Sequence, residues 1–201
     1  MLDDYSNHNP IINQYCQDNE HHMYKMVLMV VLSIQQMWQT VGDQLGDVLS
    51  KGENSRALWG NKINTFKWLQ DNKSQLYDEV MFSIKHIHSP DKTLLDTFSK
   101  IPNLGLPKAG FCVQLAYGSV GCMDTHNLNR LNIKSSEVKL NKKLLVIKRI
   151  QKIDKYLDIC NQYSSPWLWN TWCKLIADKN NLAWENSTAV SEAHFTYLDN
   201  N

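Results

Sequence analysis

The apolar residues of this chain recur at three- and four-residue intervals, the period of a helical face, and show no strand-like alternation. Met23 to Trp38 is the most apolar stretch. Its longest uncharged run, Met26 to Trp38, falls short of the roughly 20 residues a membrane span needs and carries Ser33, Gln35 and Gln36, so it predicts a buried helix. Ile63, Phe66 and Leu69, then Tyr77, Val80, Met81 and Ile84, predict helix continuing towards His88. Leu94, Leu95, Phe98 and Ile101 share a face, with Ser89 or Asp91 available as a cap around Pro90. Ala109, Cys112, Val113 and Ala116 share another.

Further on, Ser135-Ser136-Glu137 is expected to cap a long helix reaching about Cys160, with Leu140, Leu144, Ile147, Ile150, Ile153 and Leu157 turned inward. Its lysine-rich opposite face reads as a solvated surface. Ser164-Ser165-Pro166 breaks that helix; an aromatic helix is expected from Trp167 to Ala177 and a last one from about Ser187 to Leu198. Residues 1–22 read as a polar lead-in, and 43–61, with three glycines, as loops with short helical pieces. The fold class is all-α, in one domain covering 1–201.

The most informative stretch is 101–133. Pro102 ends the preceding helix, because the residue before a proline is pushed out of the helical region. Asn103-Leu104-Gly105-Leu106 makes a tight turn in which Gly105 is expected to take a positive φ. Pro107 suits the first turn of the next helix, where a missing N–H costs nothing, and Gly118 is placed to end it. Such a corner points backbone N–H groups outward beside Lys108, an arrangement that attracts phosphate. After a short apolar linker, Asp124 opens another helix, where the local N–H groups favour its ionised form.

These residues resemble the helix-hairpin-helix DNA glycosylase superfamily, the endonuclease III group. That family carries a turn Leu-Pro-Gly-Val-Gly-x-Lys-x-Ala and, further on, Asp-Thr-His at a helix start. The matching residues are Ile101-Pro102-Asn103-Leu104-Gly105-Leu106-Pro107-Lys108-Ala109 and Asp124-Thr125-His126. The resemblance implies a two-lobed helical bundle with the hairpin at about 92–118, and the N- and C-terminal helices forming the second lobe. It also implies DNA as partner, Leu104, Gly105, Leu106, Pro107, Lys108, Ala109 and His126 as the DNA-contacting residues, and Asp124 as the catalytic carboxylate. Gln114 and Asn127 are placed at the pocket. In lyase-type members, a lysine occupies the position of Pro107, which has no amine, so the expected enzyme is monofunctional. The first turn glycine of the family is Asn103 here, the family arginine after Asp-Thr-His is displaced to Arg130, and nothing offers the four-cysteine spacing of a family iron–sulfur cluster. No cofactor or metal is expected; His86 and His88 lack a third ligand in sequence and read as surface residues.

Composition narrows this further. The net charge is +1, so DNA binding must rest on a local patch rather than a global basic field. The five cysteines, 16, 112, 122, 160 and 173, are scattered and read as reduced core thiols of a cytoplasmic monomer, with no signal peptide and no membrane contact. The tryptophans at 167, 169 and 172 read as core. Two alternatives share the fold: a non-catalytic DNA-binding protein, and a bacteriophage enzyme acting on modified thymine bases during DNA hypermodification, in the host cytoplasm.

Overall fold

The computed structural model describes residues 12–36, 40–140 and 145–163, and among them every regular element is helical. A helical segment α1 (12–18) leads into α2 (Glu20–Leu32) and α3 (Val41–Lys51), followed by a 3-10 turn at Gly52–Asn54. Then come α4 (Lys62–His86), α5 (Asp91–Ser99), α6 (Leu106–Ala116), the short α7 (Thr125–Arg130) and α8 (Ser135–Val138), and α9 (Val146–Tyr163). The expected helices at 167–177 and 187–198, with Cys173, Trp167, Trp169 and Trp172, lie outside the described residues. So does the C-terminal part of the expected second lobe.

Two helices have no polar face, and the rest pack around them. All ten residues from Met23 to Leu32 of α2 are buried, including Lys25. Every residue of α6 from Ala109 to Ala116 is buried as well. The buried apolar side chains of α2, α4, α5, α6 and α9 form one continuous cluster. Among the described residues, no helix is long and apolar enough to cross a membrane. Cys16, Cys112, Cys122 and Cys160 are buried free thiols. Burial pushes all four up, Cys122 and Cys160 to about 12, so they stay protonated and inert.

Four expectations are corrected. The lead-in is ordered from residue 12 on: Ile12 and Cys16 are core residues, and Asn13 and Gln17 donate to the last carbonyls of α6, Leu115 O and Ala116 O, both at 2.7 Å. Val41–Lys51 is a full helix, not a loop, because Val41, Leu45 and Val48 make an inward face. Asp91 does not cap α5; its N-cap is Pro90, and the Asp91 carboxylate accepts from the Ser119 hydroxyl. The long helix expected from residue 137 is two helices. The backbone turns extended at Lys139 (φ −81°, ψ 126°), which ends α8, and the helical register restarts at Val146. Ile153, Tyr156, Ile159 and Cys160 therefore face the core, whereas Ile147, expected inside, is 70% exposed.

Candidate functional site

The corner between α5 and α6 is built and bolted by asparagine. Asn103 takes the left-handed conformation (φ 66°), and Gly105 does not: it sits extended at φ −84°, ψ 173° as the N-cap of α6. The positive φ thus falls two residues before the glycine expected to carry it, on the residue type that tolerates it best after glycine. The Asn103 amide also donates to Asn61 O (3.1 Å) and Thr65 Oγ1 (3.0 Å), while Thr65 Oγ1 donates to Pro102 O (2.8 Å). The turn is fixed to the first helical turn of α4 on both sides of its sharpest bend.

Few amide donors remain at that corner. Lys108 N and Ala109 N both donate to Gly105 O (3.1 and 2.9 Å), and Pro107 has no N–H. Among the described residues no backbone carbonyl takes the N–H groups of Asn103, Gly105 or Leu106, and of these three Leu106 is buried. Leu106 and Ala109, expected to contact DNA, are fully buried, backbone included, and do not line the cleft, whereas Gly105, Pro107 and Lys108 present surface to it. The Lys108 ammonium donates to Ser33 Oγ (3.0 Å), at the end of α2, and lies 5.5 Å from the centre of the Phe111 ring.

Asp124 is presented by a linker whose peptide groups are tied one after another. Tyr156 of α9 donates its hydroxyl to Gly121 O (2.7 Å) and accepts from Met123 N (2.9 Å). Cys122 N donates to Gln114 Oε1 (3.1 Å), and Cys122 O accepts from Asn127 Nδ2 (2.6 Å). Burial holds the Tyr156 phenol well above its ordinary pKa, so it keeps the proton this double role needs. Asp124 itself caps α7: its carboxylate accepts from Asn127 N (3.0 Å) and its carbonyl from Leu128 N (2.8 Å). Tyr156→Phe would orphan the buried Met123 N–H and leave Gly121 O only the weak Cys160 thiol donor (3.7 Å); it is expected to cost about 1–3 kcal/mol, read by urea denaturation at neutral pH.

A cleft of about 880 Å³ brings these parts together. Asn103, Gly105, Pro107 and Lys108 line one wall, Asp124, Thr125 and Leu128 another, and Ser135, Val138 and Arg149 a third. Its charged lining among the described residues is Lys100, Lys108, Lys139 and Arg149 against the carboxylate of Asp124. The field is therefore locally positive in a chain of net charge +1. Arg149 is held rather than free. It donates from Nε to Asp96 Oδ1 (2.8 Å) and from Nη2 to Ser99 Oγ (2.6 Å), clamping α9 onto α5.

Burial pushes the Asp96 carboxyl up, but hydrogen bonds and charge from Lys100 and Arg149 outweigh it, leaving the group below its usual range. A carboxylate depressed in the folded state stabilises above its unfolded pKa of about 3.9 and loses that contribution as pH falls through the folded value. The stability gap between the wild-type protein and Asp96→Asn should thus be full near neutrality and close below about pH 4, measured by thermal melts across pH.

The other candidate residues fall differently. Gln114 and Asn127, placed at the pocket from sequence, are buried at 1% and 0% exposure and do not line the cleft. They hold the linker instead, because an apolar segment without secondary structure needs side chains to satisfy its peptides. The His126 side chain lies outside the described residues. No local pattern in the sequence marks the roles of Gly110, Arg149 and Tyr156, because each acts through a partner distant in sequence. No protein-family model, curated protein or solved structure matches this chain.

Proposed function

We propose that this protein binds DNA and hydrolyses the bond between deoxyribose and an extruded, damaged or modified base. The observation that carries the reading is that the Asp124 carboxylate and the α5–α6 corner line one positively charged cleft. The exposed Gly105 N–H, at the positive end of α6, holds one backbone phosphate and sets the register. A nucleotide turned out of the stack enters the cleft. As the sugar–base bond breaks, positive charge develops on the sugar, and the fixed Asp124 carboxylate stabilises it without reorganising. A water aligned by the same carboxylate completes hydrolysis. Pro107 supplies no amine where lyase-type relatives in the resembled family place one, so the abasic site is left uncut.

A non-catalytic DNA-binding protein is the competing reading, favoured by the net charge of only +1 and by the altered turn, with Asn103 in place of the first turn glycine. Incubation with duplexes bearing a panel of base lesions decides between them. Strand breaks that appear only after alkali are the expected result. Binding that weakens steeply with salt, without base release from any duplex, would leave the binding reading alone.

A further inference from the structure

Another hollow, of about 300 Å³, lies beside the same corner, walled by Val31, Ile34 and Trp59 with Gln35, Lys62 and Asn103. Lys62 enters from the first turn of α4 and is only 5% exposed. Its Nζ donates to Leu32 O (2.8 Å) and lies 4.8 Å from the centre of the Trp59 ring. Lys108 Nζ sits on Ser33, the next residue, so two ammonium groups from different helices converge on the C-terminal end of α2. No carboxylate among the described residues lines this hollow. The α2 terminus supplies partial negative charge, but a carbonyl dipole does not neutralise two cations.

We propose that Lys62 is a reactive amine that condenses with a small carbonyl compound bearing an acidic group, admitted to this hollow. This inference does not rest on the glycosylase reading; Lys62 does not line the larger cleft. The arrangement fits the chemistry at each step. Burial, and after it the Lys108 charge, lower the Lys62 ammonium to about 8, so a usable fraction is neutral near physiological pH. A neutral amine that donates one N–H to Leu32 O keeps its lone pair for attack. The new C–N bond forms as the carbonyl electrons move to oxygen, which takes up the protons lost from nitrogen and leaves as water. The product is an imine; nothing is oxidised or reduced. When protonated, it keeps one N–H for the Leu32 carbonyl. Lys108 does not line the hollow, but its charge, which acts on Lys62, favours a ligand with an acidic group, and the apolar walls with Trp59 favour a small carbon skeleton.

The groups facing the Lys62 amine are the Leu32 carbonyl from α2, the Trp59 ring and Lys108 from α6, and of these only Lys108 titrates. The test is reductive trapping of the full-length protein with glyoxylate, or with neutral glycolaldehyde, plus cyanoborohydride, mapped by peptide mass spectrometry. At pH 7.5, Lys62 should label about ten-fold faster than exposed lysines such as Lys51 and Lys67, with a midpoint near 8. Exposed lysines should keep gaining rate to above about pH 10. Lys108→Gln should raise the Lys62 midpoint, and Lys62→Arg should remove the adduct. Adducts confined to exposed lysines, or a Lys62 midpoint like theirs, would overturn the proposal in the wild-type protein alone. Equal labelling by the two probes would overturn the acidic class of ligand.

Discussion

Asp124→Asn is expected to lower base release by at least about a hundred-fold, the scale seen when one preorganised electrostatic group is removed from a transition state. Duplex affinity should stay within a few-fold of the wild-type value, or rise slightly, because a negative charge is lost from a cleft that otherwise presents cations. Asparagine is the right replacement. It caps a helix about as well as aspartate, so the bond to Asn127 N survives and only the charge is removed. Asp124→Ala would remove both and add roughly 1 kcal/mol of lost capping to the result. Alkali-revealed cleavage and a binding titration, run on the same protein, separate the two effects. Full excision by Asp124→Asn would remove the carboxylate from the mechanism.

Gly110→Ala is expected to destabilise the fold by about 3 kcal/mol, the upper range for forcing extra volume into a packed core. In an ordinary helix the same change stabilises by up to about 1 kcal/mol, since glycine is the poorer helix former. The sign reverses here because a Cβ at 110 would collide with the Tyr156 hydroxyl and stand 2.7 Å from Gly121 O. The backbone of α6, the α9 tyrosine and the linker to Asp124 meet at that point. Any relaxation that admits the methyl group moves Tyr156 off Gly121 and Met123. If the variant folds, base release should therefore fall further than DNA binding. Denaturation curves test the first claim; an unchanged or raised melting temperature would contradict it.

The α5–corner–α6 unit was legible because its punctuation is local. Pro102 and Pro107 restrict the backbone at and just before themselves, while Gly118 is free to take the positive φ of 88° with which α6 ends. The apolar run from Met23 was equally plain. Three things were not legible. The break at Lys139 left no mark, because the apolar spacing continues across it; the extended backbone there ends α8, and the inward face of α9 begins only at Ile153. Residue type alone makes Gly105 the natural carrier of the positive φ, whereas the amide's bonds to α4 select Asn103, and those partners lie 38 or more positions away. Gln114 and Asn127 resemble pocket polar groups in one dimension. Only the packed linker reveals that Gln114 Oε1 and Asn127 Nδ2 are committed to its peptides. For the site, the Asp124 cap and the corner could be read from sequence, but their opening onto one cleft could not.

The three bonds around Asn103 have a mechanical consequence. A glycine at that position would leave the corner pliable, able to follow whatever approached it. The asparagine removes that compliance, since its side chain and the Thr65 hydroxyl hold the loop against α4. One jaw of the groove is thus an anvil. The facing jaw includes α8, a helix of four residues held by the buried Val138 side chain and by Lys152 and Lys155 of α9. On the proposed reading, accommodation of differently sized guests falls to that side, and the guest's distance from the corner stays constant.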